Sequence, residues 1–195
     1  MNGAGHSLKS QFWLIVAVAA SALAFIAVAT MSHGTSESNS PAAGPRIPDG
    51  YRNWSLISVA ILGPPFNDIR AKLGNSLAVN ALRDKKFPLP DDAIIARLAW
   101  KQITSDVNNN AFRQDPSAEH LSAAALQKLL HTSFAAGPAT NVQFMIKDSR
   151  KYTSTGGWGF FQFTNGKPDR IVQTSCFACH TSGSSTDFVF TRYSP

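Results

Sequence analysis

Cysteine is scarce in this chain, with two among 195 residues. A C-x-x-C zinc half-site needs a second ligand pair, and none is present. Internal repeats are missing, so the chain after its N-terminal segments is read as one domain. Concentrated charge is missing too. The net charge of +6 is modest and spread along the chain, and no nucleic-acid-binding motif accompanies it. Its densest group, Arg83, Lys85 and Lys86, is interrupted by Asp84. That group reads as a solvated helix end, with a docking patch for an acidic partner or anionic lipid as the alternative. Methionine is nearly as sparse, with three in the chain, and Met145 is the one methionine after position 31.

Both cysteines fall in one five-residue stretch, Cys176-Phe177-Ala178-Cys179-His180. This is C-x-x-C-H, the attachment pattern for haem c. Each thiol adds to one vinyl group of the haem, and two intervening residues separate the sulfurs suitably on one helical turn. The adjacent histidine then lies under the iron as proximal ligand. A thioredoxin-like dithiol does not need that histidine. The stretch therefore predicts one covalently bound haem c held by Cys176, Cys179 and His180, with His180 on the metal.

The N-terminal segment speaks to compartment. After a short polar start with Lys9, Phe12–Met31 is apolar and uncharged. A run of about 20 such residues can span a bilayer. Ala27-Val28-Ala29 also makes a small-x-small cleavage site after an apolar core, as in a secretory signal. Anchor and cleaved signal both remain open for residues 1–32, and both export the rest of the chain. Export agrees with haem c, which is normally attached outside the cytoplasm. The expected location is the periplasm, with the inner membrane holding the chain if residues 12–31 stay in place. His33–Pro48 is rich in Ser, Gly, Pro and Ala and reads as a flexible tether (33–48). The domain is then 49–195.

Within the domain, Trp54–Leu62 is apolar and β-branched until Gly63-Pro64-Pro65 stops it. Phe66–Leu73 and Ala93–Gln102 read as further strands. Asn141–Lys147 alternates, with Val142, Phe144 and Ile146 on one face and Met145 on the other. Trp158–Phe163 is an aromatic strand. Asn75 or Ser76 caps a helix through Arg83, Pro116 opens one running to about His131, and Lys167–Cys179 presents the haem motif. Asp106–Asp115 is read as a polar loop and Asp187–Tyr193 as a last extended segment. The fold class expected is α+β, a mainly antiparallel β-sheet with a few flanking helices. Small c-type cytochromes are mostly all-helical, so this pattern sets the chain apart from them.

A sheet-rich domain with C-x-x-C-H near its C-terminus resembles the cytochrome P-460 family, including the related β-sheet cytochromes c′. The residues that carry the resemblance are Tyr51-Arg52-x-Trp54, Phe66-Asn67-Asp68-Ile69-Arg70, Gly157-Trp158-Gly159-Phe160, the CFACH stretch and Asp187–Tyr193. The resemblance implies a five-coordinate haem c with His180 proximal and an open distal side, where relatives bind nitric oxide or oxidise hydroxylamine. It implies that Arg70 matches a distal-pocket arginine able to orient an anion or an iron-bound ligand. The alternative for Arg70 is a surface arginine on an edge strand. Arg97 falls at the position of the lysine that cross-links to the haem ring in the oxidising members. Arginine stays protonated and is a poor nucleophile, so that bond is not expected. Lys101 lies on the same strand face but at the wrong spacing. The distal acid of the oxidising members has no clear match, Asp169 being the nearest acidic residue upstream of the motif.

Three functions compete. One is a binder of nitric oxide or a similar small ligand. Another is an oxidoreductase acting on hydroxylamine or a related nitrogen species. The third is a six-coordinate electron carrier, with Met145 or a histidine as sixth ligand. His120 and His131 flank an expected surface helix and read as solvated or capping residues. The partners expected are a small nitrogen ligand and an unidentified redox protein, with room for a homodimer and no nucleic acid.

Overall fold

The computed structural model describes residues 45–169 and 173–194; the apolar segment 12–31 and most of the tether lie outside them. Among the described residues no helix is long and apolar enough to cross a membrane. The β-branched and alternating runs become β1 (Ser55–Leu62), β2 (Asp68–Gly74), β3 (Ile94–Ile103), β4 (Ala135–Lys147), β5 (Trp158–Thr164) and the short β6 (Lys167–Pro168). They pair antiparallel in sequence order as one six-stranded sheet. The helices are α1 (Ser76–Arg83), α2 (Asp106–Gln114), α3 (Ala123–Thr132) and α4 (Gln173–His180). The expected α+β class is the one adopted.

Because strand side chains alternate, the sheet has two unlike faces. One face packs Ile57, Ile95, Trp158 and Phe160 against α1, through Ala78, Val79 and Leu82, and against Val189. The other packs Leu98, Val142, Phe144 and Phe163 beneath Tyr51, Trp54 and Trp100. There Phe144 meets Tyr51 and Phe163 edge-on at 5.2 and 5.8 Å, the geometry ring quadrupoles prefer. Helix α1 starts where Asn75 accepts from Ala78 N at 3.0 Å, a side-chain cap for an orphan amide. It can lie close on the sheet because Gly74 has no side chain: a Cβ there would sit 2.8 Å from Ile57.

Several local expectations are corrected. Asp106–Gln114 is helix, not loop, capped by Ser105, which accepts from Asn108 N at 3.3 Å. It has no buried residue, so no apolar stripe announced it. The single helix expected from Pro116 is split into a 3-10 turn (Pro116–His120) and α3, because Ser122 caps a new start by accepting from Ala125 N at 3.2 Å. Phe66 lies in the turn before β2, where its amide donates to Gly63 O at 3.1 Å, and it is exposed. Strand β4 begins at Ala135, with Gly137 and Pro138 inside it. Lys167–Pro168 return along β5 after the left-handed Asn165–Gly166 turn, and α4 is described only from Gln173. Asp187–Tyr193 adds no strand to the sheet, since Asp187 and Phe188 turn into the left-handed region with φ of 53° and 64°.

Candidate functional site

Helix α4 is fastened to β5 by one side chain. Gln173 Oε1 accepts from Phe160 N at 2.8 Å, and its Nε2 donates to Trp158 O at 3.0 Å and Thr155 Oγ1 at 3.2 Å. An α-helix advances a full turn in 3.6 residues, so docking its start fixes the direction of Cys176, Cys179 and His180. All three line one cavity of about 530 Å³. The His180 ring lies between Phe160 and Phe190, with ring centroids 5.0 and 4.9 Å away. Its Nδ1 is 2.6 Å from Phe188 O. A carbonyl oxygen can only accept, so Nδ1 carries the proton and Nε2 keeps the lone pair. Burial lowers the His180 pKa below its ordinary value, against the opposing effect of that hydrogen bond. Burial also raises the Cys176 thiol.

The sheet supplies the cationic part of the cavity lining. Arg70, Lys72 and Arg97 all line it. Lys72 and Arg97 are directly opposite in the β2–β3 register. Asp68, on the same face of β2, accepts from Arg70 Nε at 2.9 Å and lies 3.9 Å from Arg97 Nη1. Arg97 Nη2 donates to Asn141 Oδ1 at 2.7 Å. One carboxylate thus faces three cations. Burial, then repulsion from Arg70, lowers the Arg97 pKa to about 10, so it remains a cation at neutral pH. Lys72 is pushed below the ordinary lysine value by burial first, then by Arg70 and Arg97.

The structure therefore brings together Arg70, Arg97, Cys176, Cys179, His180 and Met145 around one space. Arg70 is not on an edge strand, because β2 lies between β1 and β3. Met145 lines the cavity, one of the two places its strand face allowed, the other being a second packing layer. Lys101 is exposed near the end of β3 and does not line the cavity. His120 and His131 are exposed, and His131 Nδ1 is 2.8 Å from Gln127 O of its own helix. Asp169 stands back from the cavity, accepting from Gln162 and Thr164, while Gln162 in turn accepts from the cavity-lining Gln143. Sequence reasoning missed Lys72 and Gln143. Strand periodicity could have found Lys72, two residues from Arg70 and hence on the same face.

These residues suit haem c. Two thiols and an imidazole open onto a space bounded by Ile95, Met145, Phe160 and Phe190, apolar groups appropriate to a flat macrocycle. The surplus of cations is appropriate to its two propionates. Among the described residues no group of three or more His, Cys, Asp or Glu is placed to hold a metal ion, so the thiols have no zinc-site companions there. No curated protein matches the chain. The family model described as cytochrome P460 matches residues 48–191, which takes in the sheet, the cationic wall and the CFACH helix, and the chain belongs to the cytochrome P460 family of haem c proteins.

Proposed function

We propose that this c-type cytochrome is a periplasmic protein that binds or converts small nitrogen ligands, nitric oxide or hydroxylamine, at an open position on one haem. The observation that supports it best is that Cys176, Cys179 and His180 line the same cavity as the arginines Arg70 and Arg97. In this reading Cys176 and Cys179 hold the haem covalently and His180 Nε2 is its proximal ligand. Haem c supplies an iron centre able to take a small ligand and exchange electrons. Arg70 and Arg97 donate hydrogen bonds to an anionic or polar ligand, and Asn141 holds the Arg97 fork in place. A guanidinium at position 97 offers no amine for a haem cross-link. The N-terminal segment exports the domain, and a separate redox protein exchanges electrons with it.

Intact mass and spectra test this together. After acid–acetone extraction the mass should equal the mature chain plus one haem. Ferric and ferrous spectra should be high-spin, should shift with nitric oxide, and should lack the strongly red-shifted band of cross-linked haem. Peptide mapping should find haem on the 176–179 peptide alone. A second attachment through Lys72 or Lys101 would overturn the reading at position 97 and make hydroxylamine oxidation the leading function. Met145, on the same cavity, supports one rival, the six-coordinate electron carrier. A low-spin spectrum that turns high-spin in Met145→Ala would establish it.

A further inference from the structure

Behind the cavity lies an ion pair that the proposed chemistry does not use. Lys147 is 5% exposed and Asp187 8%, and Nζ stands 2.6 Å from Oδ1. Two charges taken out of water are weak evidence for stability in themselves, so the pair's other contacts matter more. Lys147 Nζ also donates to Gly156 O at 3.1 Å and lies 5.0 Å from the Trp158 ring centroid. Asp187 Oδ2 accepts from Leu89 N at 2.8 Å, and Asp187 O accepts from Trp158 Nε1 at 2.8 Å. Asp187 is thus gripped by both side chain and backbone. Asp187 and Phe188 lie at φ of 53° and 64°, a region that residues other than glycine rarely enter. Phe188 N donates to Gly183 O at 2.8 Å and Asp187 N to Ser184 O at 3.2 Å, and the grip on Asp187 anchors that turn to the rest of the fold. Turned this way, Phe188 presents its carbonyl to His180 Nδ1 at 2.6 Å. Gly156, itself at φ 65°, makes room, since a Cβ there would lie 2.2 Å from the Phe188 ring.

We infer, on the proposed reading of His180 as iron ligand, that the Lys147–Asp187 pair is a positioning device for that ligand. It fixes the left-handed turn whose carbonyl sets the tautomer, orientation and donor strength of the imidazole. A hydrogen bond from Nδ1–H to a fixed acceptor makes Nε2 a stronger donor to a metal. A stronger donor favours the ferric state. Releasing the Phe188 carbonyl weakens the donor and favours the ferrous state. A pair that served stability alone would shift the melting temperature and leave both properties of the iron where they were.

The test uses the full-length holoprotein as wild type, Asp187→Asn, Lys147→Met and the double variant. Asparagine tolerates the left-handed region and keeps an acceptor for Leu89 N, so Asp187→Asn removes the charge with little change in shape. Each single variant strands one buried charge and lowers the yield of folded chain. The double variant strands neither and carries the same test. The readouts are the Fe–His stretching band of the ferrous protein and the reduction potential. Expected in the variants is a lower-frequency, broader Fe–His band. The ferrous-to-ferric ratio at fixed ambient potential should rise about tenfold, equivalent to 59 mV for one electron. Folded, haem-loaded variants with the wild-type band and potential would overturn the inference. A wild-type protein with no haem by mass or no Fe–His band would instead overturn the proposed function, and this positioning role with it.

Discussion

Near His180 the polar groups are matched. The imidazole Nδ1, the Lys147 amine and the Asp187 carboxylate each have partners at 2.6 to 3.1 Å. On the sheet wall of the same cavity Asp68 Oδ1 and Arg97 Nε are buried without a hydrogen-bond partner, and Asp68 alone faces Arg70, Lys72 and Arg97. Buried polar groups in folded proteins are nearly always paired, and exceptions call for an explanation. The difference separates two kinds of construction. The His180 side is complete as a folded structure and holds one geometry. The sheet wall keeps unused bonding capacity, an Arg97 Nε–H that suits an anion and an Asp68 Oδ1 that suits a donor, and it bears the cost of leaving both unmatched.

The largest expected effect tests the complete side. Lys147→Met leaves Asp187 buried without its counter-ion, with only the Leu89 amide as side-chain partner, which should destabilise the chain by about 3–5 kcal/mol, read from urea unfolding of the haem-free protein. Arg97→Met on the sheet wall should cost far less or stabilise, because it removes an orphan Nε and the repulsion from Arg70. Equal losses in the two variants would erase the distinction between the walls.

Arg97→Met should show its effect in binding instead. A hydrogen bond to a charged group contributes about 1.5–3 kcal/mol, so azide affinity of the ferric protein should fall roughly 10- to 100-fold by the usual conversion of 1.36 kcal/mol per decade. Carbon monoxide, a neutral ligand of the ferrous protein, should bind nearly as in wild type. A parallel loss of both affinities would point to a distorted pocket rather than a missing charge.

How far this was legible in the sequence depended on the kind of constraint. The CFACH residues were legible because covalent chemistry dictates their identity and spacing. The sheet was legible where one face is buried, as in Asn141–Lys147, and illegible where Gly137 and Pro138 interrupt β4. Helix α2 has no fully buried residue, so its Ser105 cap was the clearest signal it offered. Arg70 and Arg97 were picked out through the family resemblance, since one arginine in a strand carries no pattern of its own. Asp187 and Phe188 sit in a stretch whose apolar and aromatic residues read as strand, but they close the preceding 3-10 segment as a left-handed cap, Phe188 N donating to Gly183 O and Asp187 N to Ser184 O, with Leu89, Lys147 and Trp158 holding it from distant positions. A helix C-cap of this kind usually carries glycine, and its absence at Asp187 and Phe188 hid the turn.

The smallest expected effect concerns Lys72, the cation that sequence reasoning overlooked. Its pKa is lowered from the ordinary 10.5, by burial first and then by Arg70 and Arg97. Between that lowered value and 10.5 the folded chain holds fewer protons at this site than the unfolded chain. By linkage, the Lys72 contribution to stability of the haem-free protein therefore rises with pH through that window. Its contribution to anion binding runs the opposite way, because the ammonium that attracts the anion is lost as pH rises through the lowered pKa. A partly exposed charge contributes about 0.5–1 kcal/mol, so Lys72→Met should weaken azide binding by roughly 2- to 5-fold at neutral pH. Hydroxide competes for ferric iron in both proteins alike, so the readout is the ratio of wild-type to variant affinity. That ratio should fall towards one as pH rises from 7 through the lowered Lys72 pKa to the ordinary 10.5. A ratio that stays constant over that range would mean the Lys72 amine does not act on the anion, and the cationic wall would reduce to the two arginines.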